Sequence, residues 1–167
     1  ETLVVGDPMN EATDVSALIS RSERDRVAAW VKEAEEEGAS IATGGTLDDH
    51  GVLRPTVITN ARHEMKVCAN EVFGPVVTVT EFDDLDSALA LANDSKYGLQ
   101  ASIFTKDVSK ALKAVRTLDY GGVLVNEVPT WRADQQPYGG LRDSGNTREG
   151  PAFSVKEMTE IRMVVLS

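Results

Sequence analysis

One short run, Asn70-Glu71-Val72-Phe73-Gly74-Pro75-Val76-Val77, combines a carboxylate, an aromatic ring and a rigid bend in a pattern more specific than elsewhere in the chain. Gly74-Pro75 makes a rigid bend, with Pro75 fixing φ at the entrance to a strand. Glu71 and Phe73 stand at i and i+2, so in an extended segment they project the same way. A carboxylate and an aromatic ring presented together suit an amphipathic ligand, the acid accepting from sugar hydroxyls while the ring supports a flat heterocycle. A buried aromatic beside an acid of no function fits the same spacing.

Other chemistry-bearing residues are less organised. Cys68 is the sole cysteine, which excludes an internal disulfide and makes a reducing cytoplasm the default compartment. A nucleophilic thiolate needs an oriented base or cation, and the spacing of Lys66 and His63 supplies neither. Cys68 therefore reads as a small buried apolar residue. His50 and His63 lack the company of a metal site, so no metal is expected. Asp83, Asp84 and Asp86 sit where acids cap a helix, and Asp48-Asp49-His50-Gly51 has the composition of a turn. Neither a Gly-x-Gly-x-x-Gly fingerprint nor a Walker loop occurs. By generic chemistry the chain holds no complete active site.

The elements that must position these residues follow from periodicity. Ser20 and Glu23 form a capping box before a helix over 21–37, with Val27, Trp30, Val31 and Ala34 as its apolar stripe and Gly38 as its stop. A second helix over 84–93 presents Leu85, Ala88, Leu89 and Ala92. A third, capped by Asp107, presents Val108, Ala111, Leu112, Val115 and Leu118. Strands are expected over 40–43, 52–59, 76–82, 100–105 and 122–126, with Pro55 marking an edge or bulge and Tyr97-Gly98 a turn. This alternation predicts an α/β fold, a layered and mostly parallel sheet flanked by helices.

After Asn126 neither period persists. The stretch 127–150 is longer than an ordinary connection, so it is functional or is supported from outside the chain. Residues 158–166 read as a terminal apolar strand that needs a partner. The expected division is thus an α/β segment over 1–126, then a mouth loop and assembly strand over 127–167. With 27 acidic against 17 basic residues, a net charge of −10 argues against nucleic acid and against an anionic membrane surface. A chain that opens inside an apolar stretch, without Met, is expected to be part of something longer.

The motifs together resemble the NAD(P)-dependent aldehyde dehydrogenase family, over essentially the whole chain. In order, these are Val5-Gly6-Asp7-Pro8, Thr13-Asp14-Val15, Leu18-Ile19-Ser20, Gly44-Gly45, Arg54-Pro55-Thr56-Val57, Met65 and Glu71-Val72-Phe73-Gly74-Pro75. Then come Tyr97-Gly98-Leu99, Ile103-Phe104-Thr105-Lys106-Asp107, Gly122-Val123, Val125-Asn126, Pro137-Tyr138-Gly139-Gly140, Ser144-Gly145 and Arg148-Glu149. The resemblance implies oxidation of an aldehyde to a carboxylic acid through a cysteine thiohemiacetal, with NAD or NADP as hydride acceptor. It implies that Glu71 binds the nicotinamide ribose, that Phe73 packs near the nicotinamide ring, and that Asn126, Trp131 and Arg132 line the aldehyde mouth. It also implies a homo-oligomer bridged by the final strand.

The departures are as informative. The family's nucleophile lies in a Gly-Gln-x-Cys segment and its general base in a Glu-Leu-Gly-Gly segment, and this sequence contains neither. Cys68 falls where the family has no catalytic residue. The chain is thus expected to supply no catalytic residue and to be inactive alone, as the C-terminal portion of the catalytic domain. Pro129-Thr130-Trp131-Arg132-Ala133-Asp134 resembles the branch acting on lactaldehyde and small phosphorylated or phosphono-aldehydes. There Arg132 would pair with an anionic substrate group. A loop anchor bonded to Asp134 or to a backbone carbonyl is the other reading of Arg132. Two rivals differ in function: a non-catalytic α/β assembly module, and a relative that reduces an acyl phosphate or thioester.

Overall fold

Helix α1, Arg21–Glu36, begins where Ser20 Oγ accepts from the Glu23 N–H at 3.2 Å. The reciprocal half of the capping box is absent, because the Glu23 carboxylate turns to Arg26 instead, at 2.8 Å. The helix stops in a Schellman arrangement: Gly38 at φ 104° donates to Glu35 and Ala39 donates to Ala34. These contacts belong to a computed structural model that describes residues 2–167. The chain divides into two units, Glu1–Glu81 and Phe82–Ser167, and the change of texture at Asn126 lies inside the second.

In the first unit α1 packs on a three-stranded sheet in the order β1 (Ser40–Thr43), β2 (Thr56–Thr59), β3 (Val76–Val79). A single turn, α2 (Lys66–Ala69), adds to the same core. Its centre is Val31, Ala34, Ala39, Ile58, Met65 and Val67, the buried face that the stripe on α1 predicted. β2 and β3 are parallel, but β1 runs antiparallel to β2. The strand expected over 52–59 is shortened to four residues, since Pro55 has no N–H for a ladder. Buried Thr56 is satisfied, accepting from Gly45 N–H at 2.9 Å and donating to the Arg54 carbonyl at 2.7 Å.

The second unit contains α3 (Leu85–Asn93), β4 (Tyr97–Gly98), β5 (Gln100–Ile103), α4 (Val108–Thr117), β6 (Gly122–Val125), β7 (Leu141–Arg142) and α5 (Pro151–Glu157). β5 and β6 pair in parallel, with α4 in the connection between them, whereas β4 and β7 pair antiparallel. The α/β class holds, in short sheets of mixed pairing. Asp84 and Asp107 cap α3 and α4 as expected, accepting from Ser87 N–H at 2.9 Å and Ser109 N–H at 2.8 Å.

Two readings are corrected here. On α4 the buried face centres on Ala114 and Leu118, while Val108, Leu112 and Val115 are exposed. Alanine lets the helix approach its core closely, so the larger side chains rotate outward. The segment after α5 is not a strand: 158–167 have no regular structure and Ile161, Met163 and Leu166 are exposed. A strand exists only when paired, and among the described residues nothing pairs with it.

The stretch 127–150 is held from within its own unit. Tyr138 and Glu149 exchange backbone bonds at 3.2 and 2.7 Å, β7 pairs with β4, and Ser144 Oγ accepts from Gly98 N–H at 3.0 Å. Arg142, at φ 55°, donates to the carbonyls of Asn93 at 2.9 Å and Asp119 at 2.7 Å, and also to Ser95. Arg148 likewise reaches the Gly140 carbonyl at 2.8 Å. No helix among the described residues is long and apolar enough to cross a membrane.

The α3 cap carries a pH signature. The Ser87 N–H holds the Asp84 carboxyl below its ordinary value, with the Asp86 N–H and Lys113 acting in the same direction. A lowered folded pKa means that this group's stabilisation is present above the ordinary carboxylate value and is lost as pH falls through the lower folded one. Thermal melts followed by circular dichroism from neutral pH to below about pH 4 should therefore show a shallower acid limb in Asp84→Asn. An unchanged limb would assign the acid sensitivity to other carboxylates.

Candidate functional site

The turn after α2 is built on α1. Asn70 closes α2, residues 71–73 belong to no helix or strand, and Gly74-Pro75 leads into β3. Pro75 O accepts from Thr56 N–H at 2.8 Å and Gly74 O from Val76 N–H at 2.7 Å, which ties the turn to the sheet. A Cβ on Gly74 would stand 3.2 Å from Val27, so α1 packs directly beneath it. Arg26 on α1 donates from Nη2 to the Val72 carbonyl at 2.8 Å. Its guanidinium is itself fixed by Glu23 at 2.8 Å and by the Trp30 ring, 4.5 Å away.

Glu71 is exposed, and Phe73 is 76% exposed at φ 52°. The segment is therefore not extended at Phe73, and the alternation of two that would aim both side chains one way lapses there. A bulky residue in the left-handed region is strained. Here the strain delivers an aromatic ring to the surface, with no core burial in return.

In the second unit, Asn126 follows β6 at φ 57°. Its carboxamide grips the backbone of Thr105, accepting from N–H at 2.8 Å and donating to the carbonyl at 3.0 Å. Asn126 thus anchors the start of the long segment 127–150. Trp131 is exposed on a turn closed by its own N–H to Val128 O at 3.0 Å. Arg132 bonds neither Asp134 nor a backbone carbonyl. Its Nη2 meets Glu149 at 2.8 Å, and its guanidinium lies 4.0 Å from the centre of the Tyr138 ring.

The remaining candidates make local contacts. Cys68 lies in α2, packed against the first unit's core but only half-buried, less enclosed than its reading as a buried apolar residue implies. Asp84 caps α3 and Asp86 pairs with Lys113. The Asp48 carboxylate closes its turn by accepting from Val52 N–H at 2.8 Å and His50 N–H at 2.9 Å, and the Val52 bond chiefly lowers its pKa.

The sequence model of the Aldehyde dehydrogenase family matches residues 1–164. The chain belongs to this family. A 3-sulfolactaldehyde dehydrogenase from Priestia aryabhattai is 49% identical over all 167 residues, which span 35% of its own length. A crystal structure of aldehyde dehydrogenase 21 from Physcomitrella patens, in complex with the reaction product succinate, superimposes with a TM-score of 0.91 at 40% identity. It covers 95% of this chain, which spans 33% of that one. Betaine aldehyde dehydrogenase from Staphylococcus aureus in complex with NAD+ gives a TM-score of 0.86 at 36% identity, covering 93% of this chain and 32% of its own.

Within this aldehyde dehydrogenase chain the positional reading of the sequence missed the residues that hold the others. Arg26 borders the apolar stripe beside Trp30, and by residue type it resembles any solvent-facing helical cation. Its only sequence signal is its spacing, i+3 from Glu23 and i−4 from Trp30. Glu149 lies 17 residues from Arg132 along the chain and reaches it through the isolated bridge that sets it opposite Tyr138. Arg26→Ala should loosen the turn, since hydrogen bonds from charged groups contribute about 1.5–3 kcal/mol. Amide exchange at Val76 is expected to accelerate at least about tenfold while that of Ala39 stays put. Equal exchange in both proteins would mean that packing of Gly74 on Val27 suffices.

Proposed function

We propose that the chain is the C-terminal part of the catalytic domain of a longer NAD(P)-dependent enzyme that oxidises a small aldehyde to its carboxylic acid. The observation that carries this reading is Phe73: a large aromatic held at φ 52°, mostly exposed, next to the exposed acid Glu71. The Phe73 ring gains no core burial within this chain, whereas a ring-and-diol ligand would use it together with Glu71. Glu71 would accept from the ribose hydroxyls and Phe73 would pack against the nicotinamide, which suits an acceptor and a ring side by side on this turn. Bound NAD(P)+ would supply the acceptor for the aldehyde's two electrons. The reacting thiol and the base would come from polypeptide beyond this chain, since Cys68 sits on the core in α2.

At the mouth, Trp131 would wall the aldehyde tunnel and Arg132 would meet an anionic group on the substrate, with Asn126 holding the loop in place. The engaged carboxamide of Asn126 favours this anchoring role over direct contact with substrate. An anionic aldehyde accords with the sulfonated substrate named for the Priestia relative and the succinate bound to the Physcomitrella enzyme. The apolar tail after α5 would be covered by a second subunit, giving a homo-oligomer, and the cytoplasm is the compartment we assign.

In the full-length enzyme Glu71→Gln should raise the Kd for NAD(P) about tenfold or more, the worth of a charge-assisted bond. Phe73→Ala should act in the same direction, read by fluorescence titration of the reduced cofactor. The isolated chain should reduce no NAD(P)+ with any aldehyde. Unaltered cofactor affinity in both variants, or turnover by the isolated chain, would overturn the reading.

A further inference from the structure

Tyr138 and Glu149 face each other across an antiparallel bridge in which each donates to the other, at 3.2 and 2.7 Å. Residues so paired carry their side chains on the same face. The guanidinium of Arg132 lies against that pair, its Cζ 4.0 Å from the Tyr138 ring centre and its Nη2 2.8 Å from Glu149 Oε2. The ring restrains one face of the fork and the carboxylate restrains one corner. Glu149 engages a single nitrogen, so Nε and Nη1 keep their N–H groups for another acceptor. An exposed ion pair is weak by itself. Two contacts of different kind on one planar group nevertheless define its orientation, which a flexible side chain otherwise lacks.

The geometry points to Tyr138 and Glu149 as positioning residues that set the preference for anionic aldehydes by presenting Arg132 in one orientation. This inference rests on the reading of Arg132 given under Proposed function and adds what aims it. An oxyanion such as a carboxylate, phosphonate or sulfonate matches the open side of the fork in size and sign. A neutral aldehyde of similar length gains nothing from it.

The test is the ratio of kcat/KM for an anionic aldehyde to that for a neutral one of equal chain length, measured in the full-length enzyme. Arg132→Ala sets the floor of this ratio. Tyr138→Leu and Glu149→Ala should each lower it about tenfold, chiefly through KM for the anionic substrate. Tyr138→Phe keeps the ring and Glu149→Gln keeps an acceptor, so both should stay within about twofold of the parent. If Arg132→Ala lowers the ratio while Tyr138→Leu and Glu149→Ala leave it alone, the inference falls and the role of Arg132 stands. A rise of the ratio in Glu149→Ala would make the carboxylate a competitor of the substrate and also overturns it. If Arg132→Ala leaves the ratio unchanged, the anion-binding reading fails and takes the inference with it.

Discussion

One guanidinium carries the first unit's candidate site. Arg26 leaves a regular helix, crosses to the Val72 carbonyl and holds there the centre of a segment that has no ladder of its own. Its neighbours explain why it can do so. Glu23 neutralises and fixes one edge of the fork, and Trp30 covers one face, so the side chain is ordered before it reaches the turn. Gly74 resting on Val27 then sets the distance between helix and turn. Phe73 can be held in a strained backbone conformation only because the residues on either side of it are fixed in this way.

The second unit solves the same problem with a different balance of forces. Its buried apolar side chains are Leu89, Ala114 and Leu118, against a larger set in the first unit. Order in the long segment after Asn126 therefore comes largely from polar contacts. Arg142 gathers the carbonyls that end α3 and follow α4, and its ring partner is Tyr120. Asn93 adds to the same junction, donating to Thr117 O at 2.8 Å and accepting from Asp119 N–H at 2.9 Å. Carbonyls at helix ends lack intrahelical donors, so a cation placed between two such ends satisfies several at once. The loop that looked too long to be self-supporting is short in effect, because it is pinned at β7, at Arg148 and at the bridge between Tyr138 and Glu149.

What the sequence makes legible divides along physical lines. Helices α1, α3 and α4 and their caps follow from local rules, since a cap and a stripe are decided by residues within two turns. Strands β1, β2, β3, β5 and β6 were visible as β-rich runs, but their partners were not, and β1 turned out antiparallel. β4 and β7 are two-residue elements that exist only because Gly98 and Leu141 meet in space. The shift on α4 was invisible because its single apolar arc is wide, with Ala114 and Leu118 toward one edge and Val108, Leu112 and Val115 toward the other, and only packing decides which edge is buried. The candidate site residues Glu71, Phe73, Trp131 and Arg132 were nominated by motif and resemblance. The orienting partners were not, because nothing local distinguishes Arg26 or Glu149 from a solvated charge.

The two candidate regions share a constructional logic. In each, the side chains offered to a ligand are exposed, and so gain no order from burial. Each is placed by an arginine with an aromatic ring against it and an acid at its edge: Arg26 with Trp30 and Glu23, Arg132 with Tyr138 and Glu149. In the first region that arginine works behind the turn through a backbone carbonyl. In the second it stands in front, with part of its fork open. An apolar core could not do either task, because covering these groups would remove the surface they present. Polar clamps hold geometry while leaving the face uncovered. Their energy is modest, but what the site requires of them is direction more than stability.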